Sequence, residues 1–207
     1  MARLAHVPPG RAGRLWLKRR LATALRGRDQ LERKLRVLVP EVERCRLRVE
    51  AGRRRWIEAS READSWLTRA CLLSGQAAVD HARPSGAALA TLGWVTTVGV
   101  AQPVEVHVDW PDVDRGRLTW DNAAVDPAAA AFRHALHAGA EVAVAEEALR
   151  RVATESAAIR RRLRALDERW LPWLTERLAA VESTLEQAEQ EDSARLRRAT
   201  EGRMAAP

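Results

Sequence analysis

The stretch LKRRLATALRGRDQLERKLRVLVPEVERCRLRVEAGRRRWIEASREADSWLTRACLLSGQA, Leu17 to Ala77, decides the architecture. Its seam positions follow one another at alternating steps of four and three: Leu17, Leu21, Ala24, Arg28, Leu31, Leu35, Leu38, Val42, Cys45, Val49, Gly52, Trp56, Ala59, Ala63, Trp66, Ala70, Leu73, Ala77. Only Arg28 and Gly52 interrupt the apolar series. A spacing of 3.5 residues held for about eight heptads keeps one stripe turned toward a partner, the requirement for a supercoiled helix pair. Such a helix reaches about 90–100 Å at 1.5 Å per residue. Pro40 falls inside it, and the phase continues across the proline, which predicts a bend rather than an end.

Working outward, the same alternation returns at Val142, Ala145, Leu149, Val152, Ser156, Ile159, Leu163, Leu166 and Trp170. From Leu166 through Trp170 and Leu174 to Leu178 the steps are all of four, a stutter that locally unwinds a supercoil, and Pro172 lies within it. A kink or change of twist is expected there. Two arms joined by one connector fold back antiparallel if they pair within a chain, although heptads alone also admit a parallel pair of two chains. The antiparallel reading brings Arg26, Arg28, Arg33 and Arg36 near Glu182, Glu186, Glu189 and Glu191. The fold class is therefore all-α, a long antiparallel two-helix coiled coil with a small β-hairpin or irregular waist. The arms span residues 1–80 and 127–207, and the waist 81–126.

In the waist, Val104, Val106, Val108 and Trp110 alternate with polar residues, the pattern of a half-buried strand. Pro111 to Gly116 is turn chemistry, and Leu118 and Trp120 open a second alternation, which predicts a hairpin with its two Trp on one face. The long uncharged stretch Pro84–Val104 is broken by Gly86, Gly93, Gly99 and Pro103 and is too poor in large aliphatic residues for a membrane helix.

Composition agrees with elongated helices: one Phe and no Tyr give little aromatic mass for a compact core. The net charge of +7 is unevenly placed: residues 1–60 carry +11, residues 61–126 carry −4, and the remainder is balanced. Lys18 and Lys34 are the only lysines. The runs Arg53–Arg55 and Arg160–Arg162 wrap around a helix rather than forming a stripe, so they read as a solvated or protein-facing surface, not a nucleic-acid face. Cys45 and Cys71 are too far apart along one helix for a disulfide and read as small buried residues in a reducing compartment. No signal-peptide core precedes the first arginines.

Catalytic chemistry is missing from the sequence. It contains no phosphate-cradling lysine loop, no dinucleotide glycine fingerprint, no paired-Cys motif and no His-Glu-x-x-His. His134 and His137 share a helix face, yet they sit in an alanine run with no third ligand nearby. No catalytic, cofactor or metal residue is assigned.

Residues 9–34 run Pro9-Gly10-Arg11, Leu15-Trp16-Leu17-Lys18-Arg19-Arg20-Leu21, Ala24, Arg26-Gly27, Leu31 and Lys34. The second arm carries Arg161-Arg162, Ala165-Leu166-Asp167, Leu171-Pro172, Leu174, Glu176 and Val181-Glu182-Ser183-Thr184-Leu185-Glu186, and closes on Arg195-Leu196-Arg197-Arg198. Between them lies Val98-Gly99-Val100 followed by Pro103. Together these resemble the D-subunit family of vacuolar/archaeal-type rotary ATPases. The middle segment is similar to the step that precedes that family's hairpin.

The resemblance implies a non-catalytic central rotor shaft. Rotation would couple ATP synthesis or hydrolysis in a catalytic head to proton or sodium transport through a membrane ring. Its implied partners are the catalytic (A) and regulatory (B) head subunits, the small F subunit and the ring-capping subunit, at the cytoplasmic face and without membrane insertion. Arg11, Arg14, Lys18, Arg19, Arg20, Arg195, Arg197 and Arg198 are the residues expected to meet the head. Trp110, Asp112, Asp114 and Trp120 are those expected to face the lower stalk. A coiled-coil scaffold without a motor and a basic helical arm for nucleic acid are the rival readings.

Overall fold

The structure, a computed structural model, describes residues 7–82, 86–111 and 123–204. Helix α1 (Gly10–His81) is followed by strands β1 (Leu89–Thr97) and β2 (Val100–Asp109), helix α2 (Val125–Ala165), a π-helical turn (Leu166–Trp170) and helix α3 (Leu171–Met204). The fold is mostly helical, with one small antiparallel hairpin. The chain divides into two compact units. One joins residues up to Leu35 with those from Ala158 onward, and the other runs from Arg36 to Ala157. In each, two helical segments pair antiparallel.

The stripe of α1 is buried as its spacing requires, with Leu17, Leu38, Cys45, Val49, Ala59, Ala63 and Ala70 all in the core. Helix α1 continues through Pro40, and the non-helical residue in its interior is Gly75 (φ 73°, ψ 166°), a conformation almost confined to glycine. Pro40 and Arg36, whose carbonyl loses its helical donor, both lie on the solvent side, where water can take that carbonyl. The stripe ends earlier than the heptads suggest: Leu73 is 72% exposed and Ala77 is exposed. Leu73 precedes the break at Gly75 and lines an open apolar groove, and beyond the break Val79 and Ala82, not Ala77, pack on the Ala70 cluster. Trp56, expected in the core, is 44% exposed. Its indole is too large for a seam of small residues and lies across Gly139 instead.

Helix α2 carries a stripe that begins well before Val142. Ala124, Ala128, Ala131, Ala135 and Ala138 are buried in the same alternation of four and three, and lead into Val142, Ala145, Val152, Ser156 and Ile159. They meet Ala59, Ala63 and Ala70, with Trp66 and Phe132 closing the cluster from the side. Gly52 now has a reason: a Cβ there would stand 3.2 Å from Val142 Cγ2.

The predicted stutter is a π-turn. Leu171 N–H bonds back to Leu166 O, five residues away rather than four. Pro172 supplies the cause, since it has no N–H to give and its ring crowds the carbonyl four residues earlier. The extra residue in that turn lets four-residue steps hold one face, so Leu174 is fully buried while Leu166, Trp170 and Leu178 are half-buried.

The hairpin lies elsewhere than predicted. Residues Val104–Asp109 are strand, but they form the second half of β2 and pair with β1 across a Val98-Gly99 turn. The expected turn at Pro111–Gly116 falls after the hairpin, and from residue 112 on, with Leu118 and Trp120, outside the described residues. Val98 (φ 51°) and Gly99 (φ 82°) both adopt left-handed backbone, the two-residue geometry that matches strand twist. Strand β1 has no buried face, so it left no alternation to read. Between Gly93↔Glu105 and Trp94↔Pro103 the register shifts, leaving Val104 as a bulge on β2.

Candidate functional site

Two polar constructions stand out, one in each unit. In the terminal unit, Arg11 reaches Glu189 at 3.0 Å, Lys18 reaches Glu182 at 2.8 Å, and Arg28 reaches Asp167 at 2.7 Å. The partner numbers fall as the first rise, which is the antiparallel arrangement. The register differs from expectation: the Glu-rich segment faces Arg11 and Lys18, not Arg26 to Arg36. Heptads repeat every seven residues and tolerate such a slide; Arg28, the one charged residue of the α1 seam, marks the register adopted by pairing with Asp167 beside the π-turn. Asp167 is the main cause of the raised Arg28 pKa, through their hydrogen bond.

The remaining expected contact residues occupy varied settings. Arg20 lies over the Trp16 ring, 5.2 Å from its centroid. Arg195 is held within α3 by Glu191 and Asp192, each at 3.6 Å, and Arg197 donates to Ser193 O at 3.3 Å. Arg14, Arg19 and Arg198 are exposed and make no ion pair among the described residues. Leu196 is also exposed and so stands outside the seam. On the waist side Trp110 is half-buried just past β2, whereas Asp112, Asp114 and Trp120 lie outside the described residues.

The second construction fastens the hairpin to the helices of its unit, and sequence reasoning missed it. Gln102, 2% exposed, donates from Nε2 to Glu41 Oε1 at 2.9 Å and to Thr97 Oγ1 at 3.2 Å. Cys45 Sγ lies 3.7 Å from its Oε1. Glu41 is itself ion-paired with Arg44. Arg48 donates to Val104 O at 2.6 Å, and Arg151 donates to Ala101 O at 3.5 Å while lying 4.9 Å from the Trp94 ring centroid. Glu147 holds Arg151 at 2.6 Å and Arg150 at 2.7 Å. Hydrogen bonds from these two arginines pull the Glu147 pKa down to about 2. Burial, then the Glu41 charge, pushes the Cys45 thiol up. The one available signal was Gln102 itself, a lone amide beside Pro103 in an uncharged run.

Arg53 and Arg55 pair across the seam with Glu146, at 3.0 Å from Nε, and with Glu141, at 3.4 Å. His137 faces Glu141 at 3.6 Å, and no group of three or more possible metal ligands occurs among the described residues. Trp66, Arg69, Leu72, Leu73, Ala123 and Ala124 line a shallow apolar groove. Among the described residues no helix is long and apolar enough to cross a membrane.

Residues 15–201, which include both helical arms and the hairpin, match the family described as the D subunit of ATP synthase. The chain belongs to that family. Three relatives are similar along nearly their whole length, each named as the D subunit of a V-type ATP synthase. The Thermotoga neapolitana protein is 30% identical, covering 94% of this chain and 97% of its own. The Anaeromyxobacter sp. protein is 32% identical over 94% and 93%, and the Thermus thermophilus protein 29% identical over 94% and 88%. The D-subunit segments that carried the resemblance now have places. Lys18 and Glu182, one from each arm, are paired. Val98-Gly99-Val100 and Pro103 are not a step before the hairpin but its turn and the residue preceding its bulge.

Proposed function

We propose that this chain is the non-catalytic central shaft of a V-type ATP synthase, coupling nucleotide turnover in a catalytic head to proton or sodium transport by rotation. The observation that carries the reading is the family match across residues 15–201, both arms included. The paired helices fit it physically. A shaft must resist bending and twisting, and supercoiled helices with small, closely packed seams supply stiffness without a broad core. Contacts that differ around such a shaft would give each catalytic site a different nucleotide affinity at each angle, a coupling of states rather than chemistry on the shaft.

Within this reading the basic residues of the terminal unit meet the alternating catalytic and regulatory subunits. Arg14, Arg19, Arg20 and Arg198 are the strongest candidates, because Arg11, Lys18 and Arg195 already face carboxylates. Trp110, Asp112, Asp114 and Trp120 are assigned to the lower stalk, with the small F subunit and the ring-capping subunit as partners. Cross-seam pairing of Arg53 and Arg55 with acidic residues argues against a polyanion face. The chain would act at the cytoplasmic face of the membrane, with no ATP site of its own.

Reconstitution tests this reading. The purified chain is mixed with a catalytic–regulatory hexamer, and complex yield and ATP hydrolysis are read together. Wild type should assemble one to one, and Arg14→Glu/Arg19→Glu/Arg20→Glu should lose assembly at least ten-fold while keeping its helical content. Failure of the wild type to assemble, or unchanged assembly of the triple variant, would overturn the shaft and the head-contact assignment respectively.

A further inference from the structure

The two strands of the hairpin have very different edges. Strand β2 is the inner strand. Its Gln102 and Pro103 are buried, its carbonyls at Ala101 and Val104 are taken by Arg151 and Arg48, and Pro103 and the Val104 bulge interrupt its ladder. Proline, bulges and capping cations are the devices by which sheets blunt an edge. Strand β1, LATLGWVTT, has none of them: no charge, no proline, and no bulge of its own. Its side chains are exposed along nearly the whole strand, including Leu89, Leu92, Trp94 and Val95.

Gly93 adds a chemical address. A Cβ there would lie 2.7 Å from Glu105 Cγ and 2.8 Å from Glu105 Oε1, so the Glu105 side chain crosses the strand over this glycine. Glu105 is exposed and makes no ion pair among the described residues. A strand laid beside β1 would find this carboxylate reaching toward it over Gly93.

We propose that the outer edge of β1 is a strand-addition site for an extended segment of a partner protein, carrying a basic residue that meets Glu105 across Gly93. Main-chain hydrogen bonds supply affinity in this mode, and side-chain pockets supply selectivity. The hairpin is fixed in advance by Gln102, Arg48 and Arg151, so its own ordering entropy is not spent on binding. A second copy of this chain is a poor occupant. Pairing β1 with β1 about Gly93 would set one Glu105 near another, and like charges directly opposite oppose pairing.

The probe is a soluble nine-residue peptide of alternating threonine and valine with a central lysine, compared with its glutamate counterpart. The readout is amide exchange of the full chain. The lysine peptide should slow exchange within residues 89–97 at least ten-fold more than the glutamate peptide, with the helices unaffected. Glu105→Lys should reverse that preference, and Glu105→Gln should erase it while both peptides still protect β1. Equal protection by both peptides on the wild type, protection of neither, or protection that grows with protein concentration in the absence of peptide would each overturn the proposal.

Discussion

At the scale of single residues the hairpin holds most of the unusual chemistry. Val98 sits at φ 51°, where its branched Cβ is crowded, and such positions cost about 1–3 kcal/mol. Val98→Asn, which restores the Asn-Gly preference of this turn, should raise stability by about 1 kcal/mol in chemical denaturation. Gln102→Leu should do the opposite, destabilising by about 1–3 kcal/mol, because buried Glu41 keeps Arg44 on Oε2 but loses the amide donor to Oε1. Cys45 is 1% exposed with its thiol pKa pushed up, so it should react with thiol reagents at pH 8 far more slowly than half-buried Cys71. Two thiols titrating at one rate would contradict this burial. Glu147 ionises near pH 2 in the fold against an ordinary value of 4.5. A lowered carboxylate contributes fully above the ordinary value and loses that contribution as pH falls through the folded one. The Arg151–Trp94 contact should therefore persist at pH 4 and disappear toward pH 2, followed by the Trp94 indole N–H signal in NMR.

At the scale of elements, what the sequence made legible and what it hid have separable causes. The seam of α1 was readable because large and small residues alike kept the 3.5 spacing; the alanine stripe of α2 kept it too, yet alanine is so common on helix surfaces that the run looked like background. Register was not readable from charge. Arg26, Arg33 and Arg36 are exposed, and exposed pairs worth about 0–1 kcal/mol cannot decide which turn faces which. Strand β1 was hidden because a strand exposed on both faces has no period. The expected contact residues were legible only through resemblance, since exposed arginines look alike in sequence. Gly52, an apparent gap in the seam, turns out to be a close-approach position. Gly52→Leu should destabilise by about 1–3 kcal/mol through overpacking against Val142, whereas Ile159→Ala should cost about 2–5 kcal/mol by leaving a void. Thermal melts of both variants beside wild type check the pair.

For the whole molecule, the same residues that set the seams also set how freely its length can change. One surplus residue is stored in the π-turn at Leu166–Trp170. Removing Glu168 would leave steps of three, four and four from Leu166 onward, close to the 3.67 residues per turn an ordinary α-helix accepts. With the surplus residue gone, Pro172 would sit in a kinked α-helix, as Pro40 sits within α1, and the residues after it would keep their faces. Removing Arg33, in regular α1, offers no such slack and would turn every later seam residue by about 100°. The Glu168 deletion should melt within a few degrees of wild type and the Arg33 deletion far below it. Lineages of this chain thus have one point in the second arm where a codon can be gained or lost at little expense, and sequence length there is expected to drift while the seams on either side stand still.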